Sequence, residues 1–287
     1  MRKQLKETVR DISPDGNAAN VYSSFDIIGD IAITKLPVFT PENAHAAAKA
    51  ITERHRNVKA VFVQSSAVAG EYRVRNLTHV FGENRSCTIH KENGCQFEVD
   101  VEKCYFSPRL SHERLRVAKL IQPRETVVNM FAGVGCFSIL MAKQEPTARV
   151  FSIDINPVAV HYMQRNILRN RVFGKVVPLL GDAEFLIKTQ LQNSANRVLM
   201  PLPEKSLEYL PAAVSALKPQ GGWLHVHTFE HAAKTEDPAK KTVDRLSVVL
   251  DKLNLAFAVQ AVRVVRSTGP NWWHLVADVH VSNRHPT

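Results

Sequence analysis

From Pro108 onward, short apolar runs alternate with longer segments of helical period. The runs are VVNMF at 127–131, RVFSI at 149–153, VVPLL at 176–180, RVLM at 197–200 and WLHVHTF at 223–229. The segments between and after them predict helices near 136–145, 157–171, 183–193, 205–218 and 239–254. Unbroken apolar runs of this length suit strands buried on both faces, and their alternation with helices suits a parallel sheet. The last two strand-like runs, FAVQAVRVV and HLVADVH, have no helix between them. They predict an antiparallel pair joined through the turn STGPNWW, which contains Trp272 and Trp273.

The pattern before Pro108 is different. SSFDIIGDIAI reads as strand, Gly29 turn and strand; NAHAAAKAITER at 43–54 is helical; VKAVFVQ at 58–64 is a buried strand. EYRVRNLTHVFG, CTIHKENGC and QFEVDVEKCYF read as strand pieces, with Glu92-Asn93-Gly94 as a hairpin signal. SHERLRVAKLI then predicts a helix with Ser111 as its N-cap. The organisation expected is a polar N-terminal arm over 1–20, a small α+β domain over 21–105 and an α/β domain over 106–287. Five parallel strands closed by a terminal hairpin, seven strands in all, is the class I methyltransferase layout, a Rossmann-like sheet. A nicotinamide-binding Rossmann domain lacks that hairpin.

Composition narrows the picture. The chain has 287 residues and a mass of 32.1 kDa, with 45% hydrophobic and 22% charged residues, which is globular. No apolar run approaches the roughly 20 residues that span a bilayer, and MRKQLKETVR has no apolar core behind it. A cytoplasmic protein without a membrane segment is expected. Cys87, Cys95, Cys104 and Cys136 lie 8, 9 and 32 residues apart, without a CxxC pair, so reduced thiols are expected and no metal site. The net charge of +10 and pI near 9.6 favour a polyanionic partner.

Candidate chemistry gathers where strands meet helices. Phe131-Ala132-Gly133-Val134-Gly135 follows the first parallel strand, where glycines let the backbone approach a ligand. Asp154 ends the second strand, where a carboxylate can accept both ribose hydroxyls of a nucleoside or cap the helix that begins at Pro157. Asp182 after the third strand either accepts an adenine amino group or caps a helix. Met200-Pro201-Leu202-Pro203 ends the fourth as a stiff loop whose carbonyls cannot all pair internally, which suits a grip on a flat base. Two basic segments, SPRLSHERLRVAKLIQPR and QRNILRNRVFGK, fit a phosphate-tracking surface flanking the site, with Arg109, Arg114, Arg165 and Arg169 as contacts. Trp272 and Trp273 suit base stacking and core packing equally.

SSFDIIGDIAI, KENGCQFEVDVEKCYFSPRLSHERLRV, NMFAGVGCF, IDINP and LMPLPEKSLEYL stand in the order found in archaeal and eukaryotic tRNA (guanine-37-N1)-methyltransferases. The chain resembles that family from about Val21 to Val281, with the wybutosine-pathway aminocarboxypropyl transferases as close relatives. The resemblance implies S-adenosylmethionine as cofactor and the tRNA anticodon stem-loop as partner, with no membrane or DNA partner and a monomeric state. It implies that Phe131, Gly133, Val134 and Gly135 line the methionine side of the cofactor. Asp154 then takes the ribose, Ile155 the adenine face, and Asp182 and Ala183 the adenine edge. Tyr105 and Ser107 line the same pocket, and Met200, Pro201 and Leu202 are counted with it. Glu113 is implied as general base, Arg73 as the arginine near the target guanine and Pro203 as shaping the base pocket.

Guanine N1 is protonated at neutral pH and must lose that proton to become a nucleophile. A desolvated carboxylate such as Glu113 can take it, and a guanidinium can steady the charge that spreads to O6. On spacing alone Glu113 equally suits an ion pair with Arg109 or Arg116, and Arg75 rivals Arg73 from the same strand face. The sequence departs from the family at two places. Asn129 stands where many relatives carry an acidic residue, and Pro201 replaces the motif's Asn. The segment ahead of the first strand suggests a form without the N-terminal domain with which many relatives reach the tRNA elbow. Methylation of guanosine 37 is the reading that follows. Aminocarboxypropyl transfer to a modified guanosine and non-catalytic RNA binding are the alternatives.

Overall fold

The computed structural model describes residues 25–36, 38–68 and 70–282; the arm read at 1–20 lies outside them. The chain divides into two compact units, one ending at Ser111 and one beginning at His112.

In the first unit β1 (Phe25–Ile28), β2 (Ile31–Thr34), β3 (Ala60–Gln64) and β4 (Leu77–Gly82) form one sheet in that order. The β2–β3 pair is parallel and is connected by α1 (Pro41–Arg54). Thr40 caps α1 by accepting the Asn43 N–H at 3.2 Å, and its alanines bring the helix close, burying Ala44, Ala47, Ala48, Ala50 and Ile51. A separate hairpin joins β5 (Cys87–Glu92) to β6 (Cys95–Asp100). Its two turn residues, Asn93 and Gly94, have φ of 48° and 73°, the positive pair that a tight hairpin turn requires. The strand expected through EYRVRN is absent: Glu71–Arg73 forms a turn, Arg73 has φ 53°, and β4 begins only at Leu77. Arg73 and Arg75 therefore do not share a strand face.

The second unit is a seven-stranded sheet in the order β12-β13-β11-β10-β7-β8-β9. Its strands are β7 (Thr126–Asn129), β8 (Arg149–Asp154), β9 (Val176–Leu180), β10 (Arg197–Met200), β11 (Gly221–His231), β12 (Ala256–Gly269) and β13 (Trp272–Ser282). The first five are parallel and β13 runs antiparallel between β11 and β12. The helices are α2 (Ser111–Ala118), α3 (Cys136–Gln144), α4 (Pro157–Arg169), α5 (Ala183–Leu186), α6 (Ser206–Ala216) and α7 (Pro238–Lys252).

Three local expectations are corrected. Ser111 is not a cap: a 3₁₀ turn at Pro108–Leu110 leads in, Ser111 already has helical dihedrals, and its hydroxyl accepts from Asn93 Nδ2 at 3.1 Å. The helix at 183–193 is one short α segment followed by a π turn, Ile187–Leu191, that keeps Ile187 and Leu191 both in the core. The terminal hairpin turns at Pro270-Asn271, with Asn271 at φ 59°, so Trp272 and Trp273 open β13. All four cysteines are free thiols. No helix among the described residues is long and apolar enough to cross a membrane.

The two faces of this sheet differ. One carries Val128, Ile153, Val198, Met200, Leu224, Val226 and Val279 against Leu210 and Ala213 of α6 and Leu246 and Leu250 of α7, an ordinary apolar core. The other carries Asn129, Ser152, His225, His227, His274 and Asp278, all buried. Strand alternation produces the separation, since successive side chains point to opposite faces. Burying polar groups is costly unless they are paired, and the pairings made by Asn129, His225 and Asp278 enter the site below.

Gly135 fixes how α3 leaves β7. It has φ 91°, and a Cβ there would lie 2.9 Å from Met163 Cγ and 3.1 Å from Ile139 Cδ1. Gly135→Ala is expected to lower stability by about 1–3 kcal/mol through overpacking and left-handed strain. Urea unfolding should show a lower midpoint at unchanged slope; an unmoved midpoint would contradict this packing.

Candidate functional site

The parallel strands of the second unit all end at one edge of the sheet, and the crevice beyond that edge is where such sheets bind ligands. Three loops and one carboxylate meet there. Asp154 ends β8 and its Oδ2 accepts the Gly133 N–H at 2.6 Å, while Oδ1 accepts the Asn156 N–H at 2.9 Å. Asp154 does not cap the helix that begins at Pro157: Asn156 does, its Oδ1 accepting from the Val158 and Ala159 N–H groups. Each Asp154 oxygen keeps a second lone pair, so two adjacent hydroxyls can each find an acceptor. Burial pushes the Asp154 carboxyl above its ordinary value, opposed by the Asn156 and Gly133 N–H groups.

Asp182 does cap α5, accepting the Phe185 N–H at 2.9 Å. Its other oxygen accepts the Tyr209 hydroxyl at 2.7 Å, and the Tyr209 ring meets Phe131 edge-on at 5.2 Å between centroids. Tyr209 thus ties the loop after β7 to the loop after β9. Sequence reasoning missed it, although it stands inside the LMPLPEKSLEYL run. Burial and the hydrogen bond to Asp182 push its hydroxyl above the ordinary tyrosine range. Ala183 is buried, and Ile155 is half-buried just beyond Asp154.

The Met200–Pro203 loop corrects one expectation. The Leu202 carbonyl accepts from Ser206 Oγ at 2.8 Å and from the Lys205 N–H at 3.2 Å, so it is occupied. The Pro201 carbonyl remains as the loop's candidate acceptor for a base. Met200 is fully buried in the apolar core, and its carbonyl accepts from Ser206 Oγ at 3.3 Å. Asn129, at the end of β7, is fully buried and donates to Ser138 Oγ at 3.0 Å.

Glu113 lies in the first turn of α2, 7% exposed, and forms a two-fold pair with Arg116: Nη2–Oε1 at 2.7 Å and Nε–Oε2 at 2.8 Å. Arg109 is engaged elsewhere, with Asp26 at 2.6 Å. Arg116 also grips Asp278 of β13, at 2.6 and 3.0 Å. Asp278 Oδ1 then meets His225 Nδ1 at 2.5 Å, and His225 Nε2 meets Arg197 Nη1 at 2.6 Å. Arg197 can only donate, so His225 accepts at Nε2 and carries its proton on Nδ1, donating to Asp278. Burial holds His225 below its ordinary value, which agrees with this neutral form. Arg197 closes the chain on Glu125, with two contacts of 3.0 Å. Burial pushes the Glu113 carboxyl up, against the pull of Arg116. The Asp278 carboxyl is held far below the carboxylate range, since hydrogen bonds from His225 and Arg116 outweigh its burial.

The remaining predicted residues fall out as follows. In the first unit the Arg73 guanidinium lies over the Tyr105 ring, 4.6 Å from its centroid, and Ser107 is buried. Arg75, the rival of Arg73, donates to Gln64 Oε1 at 3.2 Å. In the second unit Arg114 is only 4% exposed, with its guanidinium over Phe137, so it is not on a solvated phosphate-tracking face. Arg165 and Arg169 are exposed but stand late in α4, a helix about 20 Å long. The segment after α4 returns to the start of β8, where Lys175 accepts the Val150 N–H, so these arginines lie toward the sheet edge opposite Asp154. They do not flank the crevice as expected.

Comparison with known proteins agrees with this arrangement. A model of the TRM5/TYW2 methyltransferase domain matches residues 88–257, and one of the TYW2 N-terminal domain matches 5–85. The chain is 42% identical over 260 residues to the tRNA (guanine(37)-N(1))-methyltransferase Trm5b of Pyrococcus abyssi, covering 91% of this chain and 75% of that one. The chain belongs to the TRM5/TYW2 methyltransferase family. The crystal structure of that Trm5b superposes with a TM-score of 0.83 at 40% identity, over 96% of this chain and 80% of the other. A second family member, aTrm5, solved in complex with tRNALeu, gives 0.81 at 32% identity, over 97% and 78%. A third, TYW2 of Methanocaldococcus jannaschii with AdoMet, gives 0.69 at 26% identity, over 91% and 100%.

S-adenosylmethionine is the cofactor of this family, and the crevice fits it: Asp154 has one open lone pair on each oxygen for a ribose diol. Losing a charge-assisted hydrogen bond costs about 1.5–3 kcal/mol, roughly tenfold to 150-fold in affinity. Titration calorimetry on Asp154→Ala should show at least the lower end of that loss, with the circular dichroism spectrum unchanged. Undiminished S-adenosylmethionine affinity would remove Asp154 from the site.

Proposed function

We propose that this chain is an S-adenosylmethionine-dependent tRNA methyltransferase acting on N1 of guanosine 37, next to the anticodon, as a monomer in the cytoplasm. The observation that carries the reading is Glu113, a carboxylate removed from water with its affinity for a proton raised. Burial raises the proton affinity of such a group above that of an exposed carboxylate, the direction a general base needs. The similarity to Trm5b supports guanine N1 as the atom from which it takes that proton. The similarity to aTrm5, solved with tRNALeu, supports tRNA as the partner, as does the net charge of +10.

In this reading the cofactor, when bound, supplies an activated methyl group on a sulfonium. Asp154 holds the ribose. Gly133 and Gly135 let the backbone pass close to the methionine end, with Val134 buried between them. Phe131, Ile155 and Ala183 bound the pocket, and Asp182 orders its adenine edge together with Tyr209. Tyr105 and Ser107 are proposed to line the same cofactor. Glu113 takes the N1 proton on a carboxylate oxygen, and Arg73, held by the Tyr105 ring, is proposed to steady charge on O6. Pro203 stiffens the base-facing loop, and the Pro201 carbonyl accepts from the base edge in place of the side-chain amide that the family's Asn supplies.

A second reading, aminocarboxypropyl transfer to a modified guanosine, is favoured by Pro201 at the motif's Asn and by the match of residues 5–85 to the TYW2 N-terminal domain. The mass gained by guanosine in tRNA lacking modification separates the two, one methyl against one aminocarboxypropyl group.

Glu113→Gln keeps size and polarity but cannot take the proton as a carboxylate does. Single-turnover methylation at neutral pH is expected to fall by about 10²–10⁴, with tRNA and cofactor affinities nearly intact. Raising the pH should recover part of the loss, because more guanine is then already deprotonated. Rates within a few-fold of wild type would leave Glu113 as a structural partner of Arg116 alone.

A further inference from the structure

A carboxylate locked to a single half-buried arginine makes a poor base, because taking up a proton strips the arginine of its counter-ion where water reaches it only in part. Glu113 would be in that position if Arg116 were its whole environment, since both carboxylate oxygens are bound to that guanidinium. The cation is shared, however. Arg116 contacts both oxygens of Asp278 at 2.6 and 3.0 Å, so it keeps a full two-fold partner whatever happens to Glu113.

We propose that Asp278 is a positioning residue for the base: by sharing Arg116 it leaves the Glu113–Arg116–Asp278 cluster one negative charge in excess, so Glu113 can accept a proton while Arg116 stays paired. The proposal rests on the reading of Glu113 as general base. The other groups bearing on Glu113 fit the same arithmetic. Arg263 of β12 acts on it electrostatically from an exposed position, where water screens it. His225 of β11 is neutral and donates to Asp278, and Arg197 of β10 is neutralised by Glu125. Neither adds charge to the cluster.

The buried chain also explains why Asp278 and not Glu113 keeps the charge. Asp278 receives the Nδ1–H of His225 as well as Arg116, whereas Glu113 has Arg116 as its one bonded partner among the described residues. Hydrogen bonds to a carboxylate favour its ionised form. Protonation therefore falls on Glu113. His225 acts one step further back, holding Asp278 in register across β11 and β13, where the two residues stand directly opposite each other.

The test is a pH titration of the Glu113 carboxyl by ¹³C NMR in the full chain labelled at glutamate Cδ, with the resonance assigned by its loss in Glu113→Gln. Asp278→Asn should move the midpoint down by about one pH unit or more, because a like charge is gone and Arg116 turns wholly to Glu113. Arg116→Gln should move it up, and the double variant should titrate above Asp278→Asn alone. The acid limb of the single-turnover pH profile should follow Asp278→Asn downward, which loss of mere structural support would not produce. If Asp278→Asn proves unfolded, Arg116→Gln decides by itself, since a midpoint that stays or falls overturns the proposal. An Asp278→Asn midpoint that stays or rises overturns it as well. Methyl transfer that depends on Glu113 while this midpoint is unmoved would sink the inference and keep the function. Midpoints that move as described in a chain without methyl transfer would do the reverse.

Discussion

Arg116 sits between two buried carboxylates, and much of the second unit is arranged around that fact. A guanidinium can satisfy Glu113 and Asp278 together only if α2 and β13 are held at a fixed separation. The polar face of the sheet supplies that constraint. From Asp278 the hydrogen bonds run through His225 and Arg197 to Glu125, crossing β13, β11 and β10 in succession. Breaking such a chain at one point leaves an uncompensated buried group, which costs more than the bond itself gains. The opposite face needs no comparable precision, because apolar packing of α6 and α7 supplies burial without direction.

The chemistry divides along the same line. The groups proposed for the cofactor lie at the ends of β7, β8 and β9, where backbone geometry shapes the crevice: positive φ at Gly133 and Gly135, and an aspartate set by two N–H groups. The group proposed to handle the proton, Glu113, lies on α2, where burial and the shared arginine set its electrostatics. Two carboxylates in one unit thus receive different environments. Asp154 is held by backbone donors with lone pairs to spare, while Glu113 is bound by a cation it shares. Separation of roles by environment is how one site runs both binding and acid–base chemistry.

Much of this was legible in the sequence because it is local. Strand–helix alternation marked the seven-stranded sheet, the Asn93-Gly94 pair marked the separate β5–β6 hairpin, and the glycine loop and Asp154 stood out by their places at strand ends. What was not legible is what depends on strand register. Asp278 lies 162 residues from Arg116 and 53 from His225, and only the antiparallel pairing of β11 with β13 brings them together. Tyr209 was hidden for the same reason, since its partners Asp182 and Phe131 belong to other loops. Arg114, Arg165 and Arg169 show the converse. Charge in sequence does not say whether a side chain is buried or at which edge of a sheet it stands.

The central claim is that Glu113 meets the target base while still bound to the arginine it shares with Asp278. A crystal structure with S-adenosylhomocysteine and an anticodon stem-loop bearing guanosine 37 tests it most directly. The account predicts a Glu113 oxygen within hydrogen-bond reach of guanine N1, the Arg116–Asp278 pair intact behind it, and both ribose hydroxyls on Asp154. A guanine N1 facing another group, with Glu113 still sealed against Arg116 and out of reach, would contradict it.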